Sequence, residues 1–258
     1  MKELWVEKYR PSTIEGYVFR DSHQREQVKT WIKEKSIPHL LFSGSAGIGK
    51  TTLAKILFNE LEVNDLDLLE INASRTNSVD DVRDKIINFV QMIPFGDFKV
   101  VLLDEADYLS PNAQAALRGV MEEYHTSARF ILTCNYIEKI IEPIQSRCQT
   151  FQITPPTKKD VAVQISKILT EERIQFELKE LVPIVDSSYP DIRKIINTCQ
   201  LNSSKGILKI DSSSISDADV RVKIIDILKS KDDKRNRYVN LRQAVADSRI
   251  QDFTELYT

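Results

Sequence analysis

The pattern GxxxxGK[ST] near the start of the chain has residue types suited to binding phosphate. Its positions are occupied by Gly44, Ser45, Ala46, Gly47, Ile48, Gly49, Lys50 and Thr51. Glycines let the backbone curl so that its N–H groups face phosphate oxygens, and a following helix N-terminus adds positive partial charge. Lys50 is expected to contact the β- and γ-phosphates, and Thr51 to bind Mg²⁺ through its hydroxyl. The sequence therefore predicts a site for a nucleoside triphosphate with Mg²⁺.

A second group of candidate catalytic residues follows about 50 residues after the phosphate loop. An apolar run ends in Asp104 and Glu105, a pattern typical of a buried strand with carboxylates at its C-terminal edge. Parallel α/β sheets bind ligands at that edge. Asp104 is expected to bind Mg²⁺ through water, and Glu105 to activate the attacking water. These carboxylates and the phosphate loop together predict one hydrolytic site, and a plain acidic turn is the alternative.

The elements that must position these residues follow from the apolar pattern. Residues 39–43 predict the strand before the phosphate loop, and residues 52–58 predict the helix after it. The other predicted strands are at residues 66–72, in the run before Asp104, at 129–135 and at 150–153; the other predicted helices are at 22–35, from Ser78 and at 112–124. Alternating strands and helices of this kind favour an α/β domain.

Several polar residues on these elements have two possible roles. Asn135 ends a predicted strand, where its side chain could contact the γ-phosphate or the water. Arg147 lies on a turn or helix end, and it either reaches the nucleotide of a neighbouring subunit or is an ordinary surface arginine. Arg118 lies off the apolar stripe of its helix and is either free for a polar role or simply exposed. We interpret Cys134 as a small buried residue, because no partner histidine for a nucleophile is evident.

Two segments of the chain could each bind a ligand or have a purely structural role: the region of Arg75 and Arg83 could bind DNA, and residues 5–11 could bind a nucleotide. Arg75 lies in a polar loop and Arg83 on the next helix, so they could hold DNA phosphates or lie on a solvated surface. Residues 5–11 contain apolar and aromatic side chains and are expected to form a structured arm. The arm either covers a nucleotide base or packs on the domain.

Composition narrows the class of protein. The 258 residues have a formal net charge of −2, so any contact with DNA would need a local basic patch. The 3 cysteines fit no zinc pattern, and their odd number argues against a disulfide framework and indicates a reducing compartment. No apolar run approaches a membrane span, and the first residues lack the core of a signal peptide. We therefore expect a cytoplasmic protein without a membrane segment.

The pattern changes at Pro155 and Pro156 from alternating strands and helices to helices alone. Three helices are predicted at residues 158–174, 178–187 and 190–202. A further helix is expected at 217–229 and another within 240–257, separated by a polar break at 231–235.

Short segments of the chain occur in an order that is typical of one protein family. They are Trp-Val-Glu-Lys-Tyr-Arg-Pro at 5–11, the phosphate loop at 44–51, Ile-Asn-Ala-Ser at 71–74, Leu-Leu-Asp-Glu-Ala-Asp at 102–107, Gln-Ala-Ala-Leu-Arg at 114–118, Thr-Cys-Asn at 133–135, Ser-Arg-Cys at 146–148 and Pro-Asp-Ile-Arg-Lys at 190–194. The ordered set resembles the AAA+ clamp-loader subunits of the replication factor C type, over about residues 4–210. Residues 188–206 and the short loops resemble the tailed-phage form, itself similar to the archaeal and eukaryotic small subunits.

The resemblance implies an α/β fold in which a P-loop AAA+ ATPase domain with a parallel five-stranded sheet is followed by a small helical lid domain and a partial helical collar. The expected boundaries are residues 1–155 for the ATPase domain, 156–208 for the three-helix lid and 209–258 for the collar. Because only about 50 residues follow Gly206, we expect one or two collar helices.

The resemblance also implies roles for matched positions. Asn135 matches the first sensor, Arg193 the second sensor in the lid, and Arg147 the arginine finger. The residues expected to bind ATP are Val6, Tyr9, Arg10 and Pro11 of the adenine pocket, the phosphate loop, Thr52, Asn135 and Arg193. The residues expected to follow the DNA template strand are Arg75, Thr76 and Arg83, and Arg118 matches the basic residue that links DNA engagement to the ATP site.

The function implied by the resemblance is that of an ATPase subunit of a DNA sliding-clamp loader, which uses ATP and Mg²⁺ to place the clamp on primer–template DNA during replication. The expected partners are other clamp-loader subunits in a hetero-oligomeric ring or spiral, the sliding clamp and the DNA. A phage protein would work in the host cytoplasm and a eukaryotic one in the nucleus. One alternative is an AAA+ DNA motor such as a branch-migration helicase subunit. A non-hydrolysing scaffold subunit is another, against which intact Lys50, Asp104 and Glu105 argue.

Overall fold

The computed structural model describes residues 3–75, 79–204, 206–209, 227–228 and 234–247. The chain forms two compact units. The first comprises Met1–Asp160 together with Pro190–Arg193, and the second comprises Val161–Tyr189 and Lys194–Thr258. The domain boundaries expected from the sequence, at residues 155/156 and 208/209, stay predictions.

A parallel five-stranded sheet forms the centre of the first unit. Its strands are β1 (Leu40–Ser43), β2 (Leu68–Asn72), β3 (Lys99–Asp104), β4 (Ala128–Cys134) and β5 (Gln149–Gln152). The strand order is β2-β3-β4-β1-β5, and every neighbouring pair is parallel. The predicted α/β fold with five parallel strands is therefore confirmed.

Helices precede or follow these strands along the chain. They are α1 (Trp5–Lys8), α2 (Ser22–Glu34), α3 (Lys50–Glu60), α4 (Val79–Val90), α5 (Pro111–Glu123) and α6 (Glu142–Gln145). Side chains of a strand alternate between the two faces of the sheet. Accordingly, Val101 and Leu103 of β3 pack in one apolar core with α4 and α5, while Val100 and Leu102 pack in the other core with α2 and α3. Cores on both faces explain why the central strands are continuous apolar runs.

The strand order places three predicted site segments side by side. In the register of the sheet, Ser43 at the end of β1 pairs with Cys134 at the end of β4. Leu103, one residue before Asp104, pairs with Leu132 of β4. The phosphate loop, the acidic pair and Asn135 therefore all follow strands that end at the same edge of the sheet.

The helices that follow the sheet are α7 (Lys158–Glu171), α8 (Leu178–Ser188) and α9 (Ile192–Asn202). A short antiparallel pair, β6 (Ser203–Ser204) and β7 (Ile207–Leu208), comes after α9. The prediction of helices alone in this half of the chain was therefore wrong. Two-residue strands give no periodic signal in a sequence.

Some predicted bounds also differ from the structure. Asp65–Asp67 form a 3₁₀ turn capped by Asn64, so the strand predicted from residue 66 begins at Leu68. A helix at Lys234–Asp247 starts inside the predicted polar break, because lysine and arginine are good helix formers even without an apolar stripe. The helix predicted at 217–229 lies outside the described residues except for the helical residues 227 and 228. None of the helices in the described part of the chain has both the length and the apolar character that a membrane span needs.

Candidate nucleotide-binding site

The phosphate loop connects β1 to α3, and two of its glycines are required by their surroundings. Gly47 has a φ of +71°, and a Cβ there would overlap the carboxylate of Asp191, which belongs to the same compact unit. Gly49 has a φ of +99°, and a Cβ there would lie 3.1 Å from the ring of Tyr17. Side chains at these positions would strain the backbone and displace neighbours. Glycine therefore lets the loop curl directly into the N-terminus of α3, a position that favours anions.

Lys50 is the first residue of α3, and its ammonium group lies over the loop. Nζ donates hydrogen bonds to the carbonyl oxygens of Gly44 and Ser45 at 2.8 and 2.7 Å, and to Oδ1 of Asn135 at 2.8 Å. Burial lowers the pKa of Lys50, while the negative charges of Asp104 and Asp107 act in the opposite direction. The structure thus brings the predicted phosphate lysine and the predicted first sensor into direct contact.

Asp104 is the acceptor for two hydroxyl groups. Thr51 Oγ1 and Thr133 Oγ1 each donate to Oδ1 of Asp104 at 2.6 Å. Glu105 follows with a φ of +58°, and its backbone N–H donates to Oγ1 of Thr133 at 3.0 Å. Sequence reasoning did not single out Thr133; the available signal was a hydroxyl inside an otherwise apolar strand, next to the predicted sensor.

The candidate site is a cleft of about 930 Å³ at the carboxyl edge of the sheet. The predicted site residues that line it are Arg10, Ala46, Gly47, Gly49, Lys50, Thr51, Thr52, Arg75, Asp104, Glu105, Asn135 and Arg193. Val6, Tyr9 and Pro11, which the resemblance assigns to an adenine pocket, are not among its lining residues. The cleft volume of about 930 Å³ is typical of a pocket for a ligand the size of a nucleotide.

The cleft fits ATP with Mg²⁺ on the chemistry of its donors. The curled loop and Lys50 offer N–H groups to phosphate, and the Lys50 side chain is largely buried beside the loop. The hydroxyl of Thr51 and the carboxylate of Asp104 are the oxygen ligands that Mg²⁺ prefers. Arg193 lies in the segment Pro190–Arg193 of the first unit, and its positive charge contributes to lowering the pKa of Lys50. An anion between these two cations would relieve their repulsion.

Arg147 and Arg118 lie away from this cleft and share one carboxylate. Nη1 of Arg147 donates to the carbonyl oxygen of Pro143 at 2.7 Å, and Nη2 forms an ion pair with Glu122. Nε of Arg118 is 3.8 Å from Oε1 of the same Glu122, one helical turn away on α5. Neither arginine lines the cleft, and the roles that the resemblance implies for Arg147 and Arg118 stay predictions.

The residues expected to contact DNA are only partly described. Arg75 is exposed and is one of the residues that line the cleft, as is Lys85. Arg83 is exposed on α4, and Thr76 lies outside the described residues. The interpretation of these side chains as DNA contacts stays a prediction.

Two buried groups next to the site differ in character. Cys134 is completely buried, and burial together with the negative charge of Asp107 raises the pKa of its thiol to about 12. Cys134 is therefore a neutral thiol at physiological pH and not an activated nucleophile. The carboxylate oxygens of Asp107 are buried and have no hydrogen-bond partner within the described ranges.

Comparisons with known proteins identify the family. A profile of the "ATPase family associated with various cellular activities (AAA)" matches residues 40–156. The "Replication factor C small subunit" of Methanothermobacter thermautotrophicus is 41% identical over 232 residues, which is 89% of this chain and 72% of that protein. The protein of the same name from Saccharolobus solfataricus is 44% identical over 81% of this chain and 64% of its own length. That from Sulfurisphaera tokodaii is 42% identical over 81% of this chain and 65% of its own length.

Solved structures show the fold independently. The chain resembles the structure titled "Thermotoga maritima RuvB Holliday junction branch migration motor" with a TM-score of 0.66 and 16% identity, over 86% of this chain and 80% of that one. At that identity the likeness concerns the fold alone. The sequence relatives are much more similar, although the chain spans only about 65% of the length of the Sulfurisphaera protein. From the phosphate loop, the acidic pair and these relatives together, we conclude that the chain belongs to the replication factor C small subunit family of AAA ATPases.

Proposed function

We propose that this chain is an ATPase subunit of a DNA sliding-clamp loader, acting in DNA replication. The observation that carries the proposal is the meeting of Lys50, Asp104 and Asn135 around one nucleotide-sized cleft, in a chain of this family. We also propose that an ATPase domain, a helical lid and a partial collar follow one another along the chain, with the boundaries expected from the sequence.

The residues of the cleft divide the chemistry of hydrolysis among them. Lys50 and the loop N–H groups would hold the phosphates, and Asn135 would orient the γ-phosphate or the water through its contact with Lys50. Thr51 and Asp104 would hold Mg²⁺, which neutralises charge developing on the phosphate oxygens. Glu105 would take a proton from the attacking water as the water oxygen bonds to the γ-phosphorus and the bond from that phosphorus to the leaving ADP oxygen breaks.

Arg193 and Arg147 are proposed to act on the same phosphates from different sides. Arg193 lines the chain's own cleft and is suited to sense the γ-phosphate of its own nucleotide. Arg147 lies outside that cleft, with a third of its side chain exposed, and is suited to reach the nucleotide of a neighbouring subunit. Hydrolysis would then depend on assembly with other clamp-loader subunits.

DNA and the sliding clamp are the other proposed partners. Arg75, Thr76 and Arg83 would follow the template strand, and Arg118 would transmit its engagement towards the ATP site. For the clamp, we propose the loop between α4 and β3, where Ile93 is 88% and Phe95 is 73% exposed. Large exposed apolar side chains within one short loop favour a protein contact.

The loop that carries Ile93 and Phe95 is held firmly at its base. Asp67 accepts the backbone N–H groups of Phe95 and Gly96 at 2.9 and 2.8 Å, and it pairs with Lys99 at 3.1 Å. Asp67 and Lys99 are both nearly fully buried. A fixed backbone reduces the ordering cost when a partner binds these side chains.

Location follows from the proposed partners. The protein would work where the DNA is replicated, which is the cytoplasm of a bacterial or archaeal cell, including one infected by a phage, or the nucleus of a eukaryotic cell. A viral source stays a prediction from the resemblance.

Steady-state ATP hydrolysis with primer–template DNA, with and without a sliding clamp, tests the function. Stimulation that requires clamp and primed DNA together is the expected result. Stimulation by branched DNA with directional movement would favour the alternative of a DNA motor. Absence of turnover under every condition, with intact nucleotide binding, would favour a scaffold subunit. Lys50→Ala is the control, because it removes the phosphate contact from any of these activities.

A further inference from the structure

One buried hydroxyl group joins the two carboxylate residues of the site. Oγ1 of Thr133 donates to Oδ1 of Asp104 at 2.6 Å and accepts the backbone N–H of Glu105 at 3.0 Å. Thr133 is 1% exposed, and its hydroxyl therefore uses both its donor and one acceptor position inside the protein.

The position of Thr133 in the sheet would suit an apolar residue. Thr133 pairs in register with Phe42 of β1, on the face of the sheet that packs with α3. Valine has the shape of threonine and would bury here without the cost of desolvating a hydroxyl. The hydroxyl is therefore explained by its two hydrogen bonds and not by packing.

The hydrogen bond to Glu105 acts at an unusual point of the backbone. Glu105 has a φ of +58°, in the left-handed region that residues with a side chain seldom adopt. This turn follows β3 and gives the two acidic residues different hydrogen bonds. The carboxylate of Asp104 accepts from Thr51 and Thr133, whereas Glu105 donates its backbone N–H to Thr133. The single hydroxyl of Thr133 thus holds the backbone conformation of Glu105 and the orientation of the Asp104 carboxylate.

We propose that Thr133 is a positioning residue for ATP hydrolysis, which aligns Asp104 for Mg²⁺ and holds the Glu105 turn in its working conformation. The inference rests on the proposed function only in that Asp104 and Glu105 serve an ATPase. It assigns Thr133 no contact with the nucleotide itself. A residue that orients a metal-binding carboxylate changes metal affinity when its hydrogen bond is lost.

The test compares Thr133→Val, which keeps the shape and removes the hydroxyl, with Thr133→Ser, which keeps the hydroxyl. ADP affinity is measured by calorimetry on the isolated chain with and without Mg²⁺, and kcat for ATP is measured under stimulated conditions. For Thr133→Val we expect unchanged ADP affinity without Mg²⁺, about tenfold less enhancement by Mg²⁺, and a kcat lower by about 10- to 100-fold. For Thr133→Ser we expect values within about threefold of the wild type.

Matched controls separate positioning from stability. Thr150→Val makes the same chemical change at an exposed position of β5 and is expected to alter neither measurement. A Thr133→Val variant with wild-type Mg²⁺ enhancement and kcat would overturn the proposal. So would a Thr133→Ser variant as impaired as Thr133→Val, because the shape and not the hydroxyl would then matter. If Thr133→Val does not fold, Thr133→Ala replaces it with the same expectations and the same contrary outcomes.

The measurements also separate this inference from the proposed function. Mg²⁺ enhancement of ADP binding needs neither clamp nor DNA. Two results together would support the positioning role and contradict the clamp-loader role. They are a loss of Mg²⁺ enhancement in Thr133→Val and a wild-type chain whose ATP hydrolysis clamp and DNA do not stimulate. If clamp and DNA stimulate ATP hydrolysis by the wild type while Thr133→Val keeps the wild-type Mg²⁺ enhancement and kcat, the clamp-loader role is supported and the positioning role is contradicted.

Discussion

Arg147 is the residue whose proposed role depends most on a second subunit. Arg147→Ala is expected to leave nucleotide affinity within about twofold and to lower stimulated turnover of the assembled loader by about 10³-fold, because an arginine in trans stabilises charge mainly in the transition state. The measurement is single-subunit ADP affinity beside steady-state ATP hydrolysis of the assembly with clamp and primed DNA. Arg20→Ala removes a comparable exposed arginine and serves as the control. Equal losses of binding and turnover would argue against a role in trans.

Individual site residues differ in how far the sequence could predict their surroundings. The motif predicts that Lys50 faces phosphate, and the structure adds its contacts with two loop carbonyls and Asn135. Thr133 could not be predicted from spacing, because its partners lie on another strand. Arg118 and Arg147 were interpreted separately, and only the fold shows that both reach Glu122.

At the scale of elements, Gln114 ties helix α5 to the segment that leads to α6. Its side chain is 1% exposed; Nε2 donates to the carbonyl oxygens of Leu109 and Lys139 at 3.1 and 2.9 Å, and Oε1 accepts the N–H of Ile141 at 2.8 Å. Gln114→Ala would leave these buried backbone groups without partners and is expected to lower the free energy of unfolding by about 1–3 kcal/mol.

Urea denaturation with circular dichroism checks the Gln114 prediction. Gln27→Ala on α2 is the control, since Gln27 is only partly buried and is expected to change stability by less than about 0.5 kcal/mol. A Gln114→Ala chain as stable as the control would show that water or a rearranged segment satisfies the same groups.

The loop between α4 and β3 gives a second prediction at this scale. Ile93→Ser is expected to reduce clamp affinity by about tenfold, because it removes an exposed apolar side chain from a fixed loop. ATP hydrolysis without clamp should be unchanged, since Ile93 does not line the nucleotide cleft. Clamp binding can be measured by surface plasmon resonance. Leu201→Ser replaces an apolar residue of α9 with similar exposure, and an equal effect of both variants would contradict a specific clamp contact.

Elements with strong periodicity were predicted well and short elements were not. The helix predicted at 22–35 is observed as Ser22–Glu34. The prediction succeeded because the sequence has both an apolar stripe and a residue at its start, Asp21, that can cap a helix. The residues of β6 and β7 have no such signal, because each strand has only two residues. Lys234–Asp247 is helical without an apolar stripe, so periodicity alone places its start wrongly.

At the scale of the whole molecule, His39 makes stability depend on pH. Its Nδ1 accepts the N–H of Phe130 at 3.1 Å, and burial, with the charges of Arg129 and His125, lowers its pKa to about 4. The unfolded chain, with an ordinary histidine pKa near 6.5, binds a proton first as the pH falls. As far as His39 is concerned, the free energy of unfolding is therefore highest above about pH 6.5 and falls progressively as the pH is lowered towards 4.

Thermal or urea unfolding at pH 7 and pH 5 measures this dependence. The wild type is expected to lose about 1 kcal/mol more than His39→Gln over that interval, a value reduced for the partial exposure of the ring. His23→Gln, at an exposed position, is the control and should follow the wild type. A pH dependence that is identical in the wild type and in His39→Gln would place the titrating group elsewhere.

The sequence by itself was enough to predict a phosphate-binding segment and the family of this protein. Phosphate binding needs glycines, a lysine and a hydroxyl at fixed spacing along one segment, so Gly44 to Thr51 predict it without any knowledge of the fold. The apolar runs likewise determine a buried parallel sheet, because strands covered on both faces leave a local record in composition.

Only the tertiary structure decided which side chains meet. Asp104 and Thr133 are 29 residues apart, and Arg147 and Glu122 are 25 apart, so neither contact follows from local pattern. These pairs form because the strand order and the packing of α5 bring separate segments to the same edge or surface. Hydrogen bonds and ion pairs act over a few ångströms in space, whereas a sequence records distance only along the chain.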